Sequence, residues 1–124
     1  MPVTMELREN GHVLYVVVSD PWNMADIERI TGETGGGIRL SSHPIHMLVN
    51  VQRARHIPKG LLTNARNPVF RLPTMGQFVI VGSTPLLRGI TQTVFRIAGF
   101  RRGHFFDSEG QALAYLRQVI AGEG

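Results

Sequence analysis

The 124-residue sequence contains no cysteine, and this absence excludes disulfide bonds and thiolate chemistry. It also lacks any apolar run approaching the roughly 20 residues that a transmembrane helix needs. The first twelve residues, MPVTMELRENGH, have no apolar core of the kind found in a signal peptide. These absences predict a cytoplasmic protein without a membrane span. The length of 124 residues predicts a single domain over residues 1–124.

A second absence is local: residues 39–106 contain no aspartate or glutamate. The same 68 residues hold nine arginines and Lys59, a balance of +10, whereas residues 1–38 have a balance of −4 and residues 107–124 one of −2. Side chains of the basic window cannot form ion pairs with one another. They must pair with the acidic N-terminal third, remain solvated, or meet an anionic partner.

The clearest structural signal lies in residues 77–99. Phe78, Val79, Ile80 and Val81 form an apolar run typical of a buried strand, and Gly82 ends it. Pro85 suits the first turn of a helix. The helical spacing of the following apolar residues predicts one core-facing stripe, composed of Leu86, Leu87, Ile90, Val94, Ile97 and Ala98, with Arg88, Gln92 and Arg96 facing water.

The remaining elements follow from turn and capping signals. Asn10-Gly11 between two apolar runs predicts a hairpin. Asp20-Pro21 predicts a helix with Asp20 as its cap, which Gly32 and the 35–37 glycine run would end in a flexible loop. Residues 38–40 are predicted to form a short strand, and residues 45–51 a second buried strand. The sequence also predicts a short helix over residues 58–66, an edge strand over residues 104–106, and a last helix capped by Ser108.

This order predicts an α/β fold. Because short crossovers favour parallel strands joined by right-handed connections, the sheet should be mostly parallel, with an antiparallel N-terminal hairpin and helices packed on it.

With these elements in place, the chain resembles the STAS family, the anti-sigma-factor antagonist fold, and in particular its sporulation-antagonist-like branch. The resemblance lies in the opening hairpin and in four segments: IHMLVNV, KGLL, FVIVGSTPLLRGITQTVFRIAG and FFDSEGQALAYL. It implies a small non-enzymatic module that binds a protein partner or, in relatives, a nucleotide or lipid. Phosphorylatable members carry Asp-Ser-Ser-Gly-Leu where this chain reads Ile57-Pro58-Lys59-Gly60-Leu61. Lys59 thus occupies the place of the phosphoacceptor serine, so the phosphoserine switch is not expected.

Neither a metal site nor a cofactor is predicted. His43 and His46 are three apart in an extended segment, where their side chains point away from each other, and His56 and His104 stand alone. Ser83 and Thr84, at the predicted start of a helix, could hold an anion on free N–H groups. They lack the phosphate-loop and dinucleotide patterns, so helix capping is the preferred interpretation. No nucleophile elbow is present, and the acids of the first predicted helix suit a solvated face.

The basic window is therefore the candidate binding surface. Arginine outnumbers lysine twelve to one, which suits bidentate contacts with carboxylate or phosphate. We expect a non-enzymatic module that binds an acidic protein partner, with self-association as one form, or an anionic ligand. The alternatives are a nucleic-acid-binding protein that stacks bases on Phe95, Phe100 or Phe105, and a lipid or nucleotide carrier. The residues chosen for the anion- or partner-binding site are Arg53, Arg55, Lys59, Arg88, Arg96, Arg101 and Arg102.

Overall fold

A computed structural model describes residues 3–123, without the side chains of Thr34 and Arg39. Five strands and three α-helices alternate after an opening hairpin, with two short 3₁₀ helices between the third and fourth strands. Their bounds are β1 (Val3–Arg8), β2 (Val13–Ser19), α1 (Met24–Leu40), β3 (Ile45–Arg53), η1 (Leu61–Arg66), η2 (Pro68–Arg71), β4 (Met75–Val81), α2 (Pro85–Ala98), β5 (Gly103–Phe106) and α3 (Glu109–Glu123).

The strands form one sheet in the order of the chain, β1-β2-β3-β4-β5. The β1–β2 pair is antiparallel and every later pair is parallel, as predicted. The hairpin turn at residues 9–12 places Glu9, Asn10 and Gly11 at positive φ, which fits the Asn-Gly signal. The α/β fold and the mixed sheet expected from the sequence are therefore confirmed.

The two faces of the sheet carry different layers. Val16 and Val18 of β2 pack in the larger core with α1, η1, η2 and α2, whereas Val13 and Tyr15 pack with Ala112 and Leu116 of α3. This division follows from the alternation of side chains along a strand. Three crossovers moving in one direction along the sheet place their helices on one face, because such connections share one hand.

The first helix differs from the prediction at both ends. Asn23, not Asp20, is its N-cap: the Asn23 side chain accepts from the Asp26 N–H at 3.0 Å, and the Asp26 carboxylate accepts from the Asn23 N–H at 2.9 Å. The Asp20 carboxylate instead accepts the backbone N–H groups of Arg55 and His56. These bonds, first that from Arg55, lower the pKa of Asp20.

The loop predicted at the glycines is also wrong, because α1 continues through them to Leu40. Ile30 and Ile38 are buried on the same side of the helix, 3% and 1% exposed. The burial of Ile38 keeps the chain helical in spite of the low helix propensity of glycine. No strand forms at residues 38–40 for the same reason.

The remaining helices are close to expectation. The predicted short helix over residues 58–66 is a 3₁₀ helix that begins at Leu61. The Ser108 hydroxyl accepts the Gln111 N–H at 3.2 Å, which confirms the predicted cap of α3. In α2, Leu87 and Val94 face the core, but Leu86 and Ile97 of the predicted inward stripe are exposed.

Candidate functional site

Nine cations between residues 53 and 102 are exposed and unpaired. None of their side chains lies within ion-pair distance of a carboxylate in residues 3–123. They are Arg53, Arg55, Lys59, Arg66, Arg71, Arg88, Arg96, Arg101 and Arg102. The side chain of Arg39, the tenth cation of the basic window, is outside the described part. The acidic α1 therefore does not neutralise these side chains, and their charge is available to a partner.

By contrast, the cations outside this window have acidic partners. The Arg8 guanidinium donates to Glu6 at 2.9 Å, and Arg117 pairs with Glu9. Arg29 lies 3.8 Å from Glu33, one helical turn further along α1. The unpaired state thus belongs to the acid-free window and not to arginine side chains of this protein in general.

The seven residues selected from the sequence lie at two opposite edges of the sheet. Because β2 to β5 run parallel, the segment that follows β3 and the first turn of α2 share the carboxyl edge. We call Arg53, Arg55, Lys59 and Arg88 the carboxyl-edge group. Arg96, Arg101 and Arg102 follow α2 to the other edge and form the amino-edge group, where Arg102 Nε donates to Gly76 O at 3.3 Å.

The length of α2 separates the two groups. Arg88 and Arg96 are eight residues apart, or about 12 Å along the helix axis. Two of these guanidinium groups also lie over aromatic rings, with Arg88 4.9 Å from the ring centre of Phe105 and Arg102 5.1 Å from that of Phe100. Such contacts orient the guanidinium groups without neutralising their charge.

Two phenylalanines that were expected to stack on nucleic-acid bases are buried. Phe95 and Phe100 are only 6% and 7% exposed and pack with Phe70 and Phe78 in the larger core. Phe105 is half-buried beside Phe95. Phe95 and Phe100 therefore cannot serve as a stacking platform in this conformation.

Ser83 and Thr84 make the capping contacts preferred from the sequence. Thr84 is the N-cap of α2, and its hydroxyl accepts the Leu87 N–H at 3.3 Å. The Ser83 hydroxyl donates to Thr84 O at 3.1 Å. The Thr84 hydroxyl thus occupies one of the N–H groups that an anion would need.

Two of the histidines, His46 and His104, hydrogen-bond to the backbone and the side chain of Gln77, respectively. His46 is 1% exposed; its Nδ1 accepts the Gln77 N–H at 2.8 Å, and its Nε2 lies 2.7 Å from a Glu123 oxygen. His104 Nε2 lies 3.0 Å from Gln77 Oε1. His43 stacks on His12, with ring centres 4.3 Å apart. Within residues 3–123, no group of three or more His, Asp or Glu side chains is arranged to hold a metal ion.

A polar cluster that the sequence did not reveal ties α3 to the sheet. The Glu109 carboxylate accepts from the Tyr15 hydroxyl and, at 2.6 Å, from Asn50 Nδ2. Burial, and then the hydrogen bond to Glu109, raise the pKa of Tyr15. The available signal was Asn50 within the mostly apolar strand IHMLVNV, because a polar side chain in a buried strand needs a partner.

An apolar cavity of about 100 Å³ lies between the sheet and the layer formed by α1, η1 and α2. Its walls include Val16, Val49, Ile80 and Leu87. The polar groups on its lining bond within the protein: the Trp22 indole N–H donates to His56 O at 2.8 Å, and the Thr31 and Thr91 hydroxyls donate to carbonyls of their own helices. The cavity therefore favours an apolar occupant.

Comparison of the sequence with models of known protein families and with curated proteins gives no match. The resemblance to the STAS family therefore stays a prediction. Among the described residues, no helix is both long and apolar enough to cross a membrane.

Proposed function

We propose that this protein is a non-enzymatic interaction module of STAS-like type, which binds an acidic protein partner through its unpaired cations and has no phosphoserine switch. The observation that carries the proposal is the exposure of nine cations without a carboxylate partner in residues 3–123. An acidic surface would supply the missing partners, and electrostatic complementarity of this kind speeds association and selects the partner.

An acidic protein is favoured over nucleic acid for a specific reason. Binding of single strands combines a basic groove with exposed aromatic rings, and here Phe95 and Phe100 are buried. The seven cations selected from the sequence are also divided between the carboxyl-edge and amino-edge groups, at opposite ends of the parallel strands.

The test compares two double variants of equal net charge. Arg55→Gln with Lys59→Gln removes two unpaired cations of the carboxyl-edge group. Arg8→Gln with Arg117→Gln removes two cations that already have carboxylate partners. We expect the first variant to bind polyglutamate about tenfold more weakly than the wild type, or about 1.4 kcal/mol, and the control to change by less than twofold.

Fluorescence anisotropy with labelled polyglutamate measures both affinities, and labelled oligothymidylate serves as the competing probe. Equal weakening by both variants would mean that only net charge matters, which contradicts the proposal. Tighter binding of oligothymidylate, with a steep dependence on salt, would support a nucleic-acid-binding protein instead.

The apolar cavity supports a second candidate function, that of a carrier for a small apolar ligand. Its size is below the 150 Å³ or so of an engineered protein cavity that binds benzene, so a short alkyl chain or a small ring is the expected class. Native mass spectrometry and thermal shift with hexanol and benzene test for uptake.

A further inference from the structure

One side of α2 carries a mostly apolar stripe that the rest of residues 3–123 covers only in part. Leu86 and Ile97 are 67% and 64% exposed, and Ile90 and Thr93 of the same stripe are half-buried. Exposed leucine or isoleucine at a single position is ordinary on a protein surface. An apolar row along a whole helix is different, because it indicates a surface that is covered in a complex.

The spacing of this stripe is that of a helix-packing seam. Leu86, Ile90, Thr93 and Ile97 follow one another at intervals of four, three and four residues, which is the spacing of core positions in coiled coils. From Leu86 to Ile97 the stripe extends about 16 Å along the axis, or three helical turns. A partner helix of similar length can align its own apolar positions with it.

The stripe lies away from the contacts that α2 makes with β5. Phe95 packs against Phe105 at 6.3 Å between ring centres, and Arg88 lies over the same ring. At 100° per residue, Leu86 and Ile97 are about half a turn from Phe95 and so face away from β5. Leu87, next to Leu86, lines the cavity together with Leu61 of η1, which packs against α2. Leu62 of η1 is also 50% exposed. We call the stripe together with the exposed Leu62 the α2–η1 surface.

Both elements of the α2–η1 surface also carry cations. Arg66 follows Leu62 by four residues on η1, and Arg96 precedes Ile97 on α2; both are exposed and unpaired. Lys59 lies just before η1. A second copy of the chain would bring the same cations against these, which costs energy through like-charge repulsion. The α2–η1 surface therefore fits a partner that is apolar on one face and acidic on its flanks.

We propose that the α2–η1 surface binds an acidic amphipathic α-helix of a protein partner. The charged part of this proposal rests on the proposed function, whereas the helical shape of the partner rests on the exposed seam alone. The seam also joins the two groups of cations, because it starts at the carboxyl edge and ends at the amino edge of the sheet.

The probe is a synthetic helical peptide of 18 residues with leucine at the heptad core positions and glutamate on both flanks. The variant is Leu86→Gln with Ile97→Gln, and the matched control is Leu7→Gln with Leu40→Gln, which replaces two exposed leucines elsewhere. We expect the α2 variant to weaken peptide binding at least tenfold, measured by calorimetry, and the control by less than twofold. Unfolding temperatures of both variants check that the fold is intact.

A scrambled peptide of the same composition separates the seam from simple charge. If the scrambled peptide binds as tightly as the helical one, the proposal that this surface binds a helix is wrong, while the proposed function stands. If neither peptide nor polyglutamate binds, both are wrong. Two other results would contradict the binding of a partner helix at this surface. One is that phosphatidylglycerol vesicles bind through Leu86 and Ile97 when the peptide does not. The other is that the wild type forms a dimer and the α2 variant is monomeric.

Discussion

At the scale of single residues, His46 is a buried polar side chain with a hydrogen-bond partner at each ring nitrogen. It is buried between the backbone N–H of Gln77 and the carboxylate of Glu123. Since Nδ1 accepts a hydrogen bond from the Gln77 N–H, the neutral ring carries its own proton on Nε2. Gly76 is part of the same arrangement, because a Cβ at that position would overlap the imidazole.

This arrangement makes stability depend on pH. Burial lowers the pKa of His46, while Glu123 raises it in part and His12 and His43 lower it further. The unfolded chain takes up a proton near the ordinary value of about 6.5, and the folded chain only at a lower pH. The contribution of His46 to the free energy of unfolding is thus complete above pH 6.5. It decreases as the pH falls towards the pKa of His46 in the folded protein.

We predict that the His46→Gln variant has a lower free energy of unfolding than the wild type at pH 7.5. Between pH 7.5 and pH 5, the free energy of unfolding of the variant should decrease by less than that of the wild type. Urea unfolding across this range measures both quantities. His56→Gln, at an exposed position, is the control and should keep the wild-type slope. A wild-type slope in His46→Gln would assign the pH dependence to other groups.

At the scale of elements, α1 is the helix whose sequence opposes its structure. Gly35, Gly36 and Gly37 lie in its interior, and a Cβ at any of them would meet no atom within 4 Å. Glycine costs a helix interior about 1 kcal/mol relative to alanine, because it loses more backbone entropy. The buried Ile38, one residue beyond, holds the helix together at this cost.

We predict that alanine at all three glycines raises the free energy of unfolding by about 2–3 kcal/mol, since each position gains helix propensity without a clash. Chemical unfolding measures the gain. Gly76→Ala, which would overlap His46, is the contrasting variant and should destabilise the protein. If the triple variant gains nothing, the glycine segment is not helical in solution.

At the scale of the whole molecule, the two faces of the sheet are packed differently. The α3 face is closed by Val13, Tyr15 and Leu48 against Ala112 and Leu116. The opposite face carries α1, η1, η2 and α2 and retains the cavity. The cavity and the exposed seam of α2 belong to this second layer, as do the unpaired Arg66, Arg71, Arg88 and Arg96, so binding functions are expected there.

The cavity gives the corresponding prediction. Val16→Ile adds one methylene on the cavity wall and should raise the free energy of unfolding by about 0.8 kcal/mol, while weakening any uptake of hexanol or benzene. Val13→Ile makes the same change on the closed face and should be destabilising by about 1–3 kcal/mol through overpacking. Chemical unfolding and thermal shift measure the pair; equal effects at both sites would mean that the cavity is not retained in solution.

The sequence by itself determined the elements whose signals are local. The hairpin at Asn10-Gly11, the β4 strand, the start of α2 after Gly82 and the Ser108 cap follow from positive φ, apolar period and capping within a few residues. It also determined that the basic window must find its acidic partners elsewhere, because none lies within it.

Only the tertiary structure decided features that depend on distant neighbours. It extended α1 through three glycines, because the helix places Ile38 in the larger core. It left Leu86 and Ile97 outside, because the sheet and η1 cover only part of the apolar circumference of α2. It also divided the cations between two edges of the sheet and brought Tyr15, Asn50 and Glu109 together. Periodicity states which residues share a helix side, but burial depends on what packs against that side.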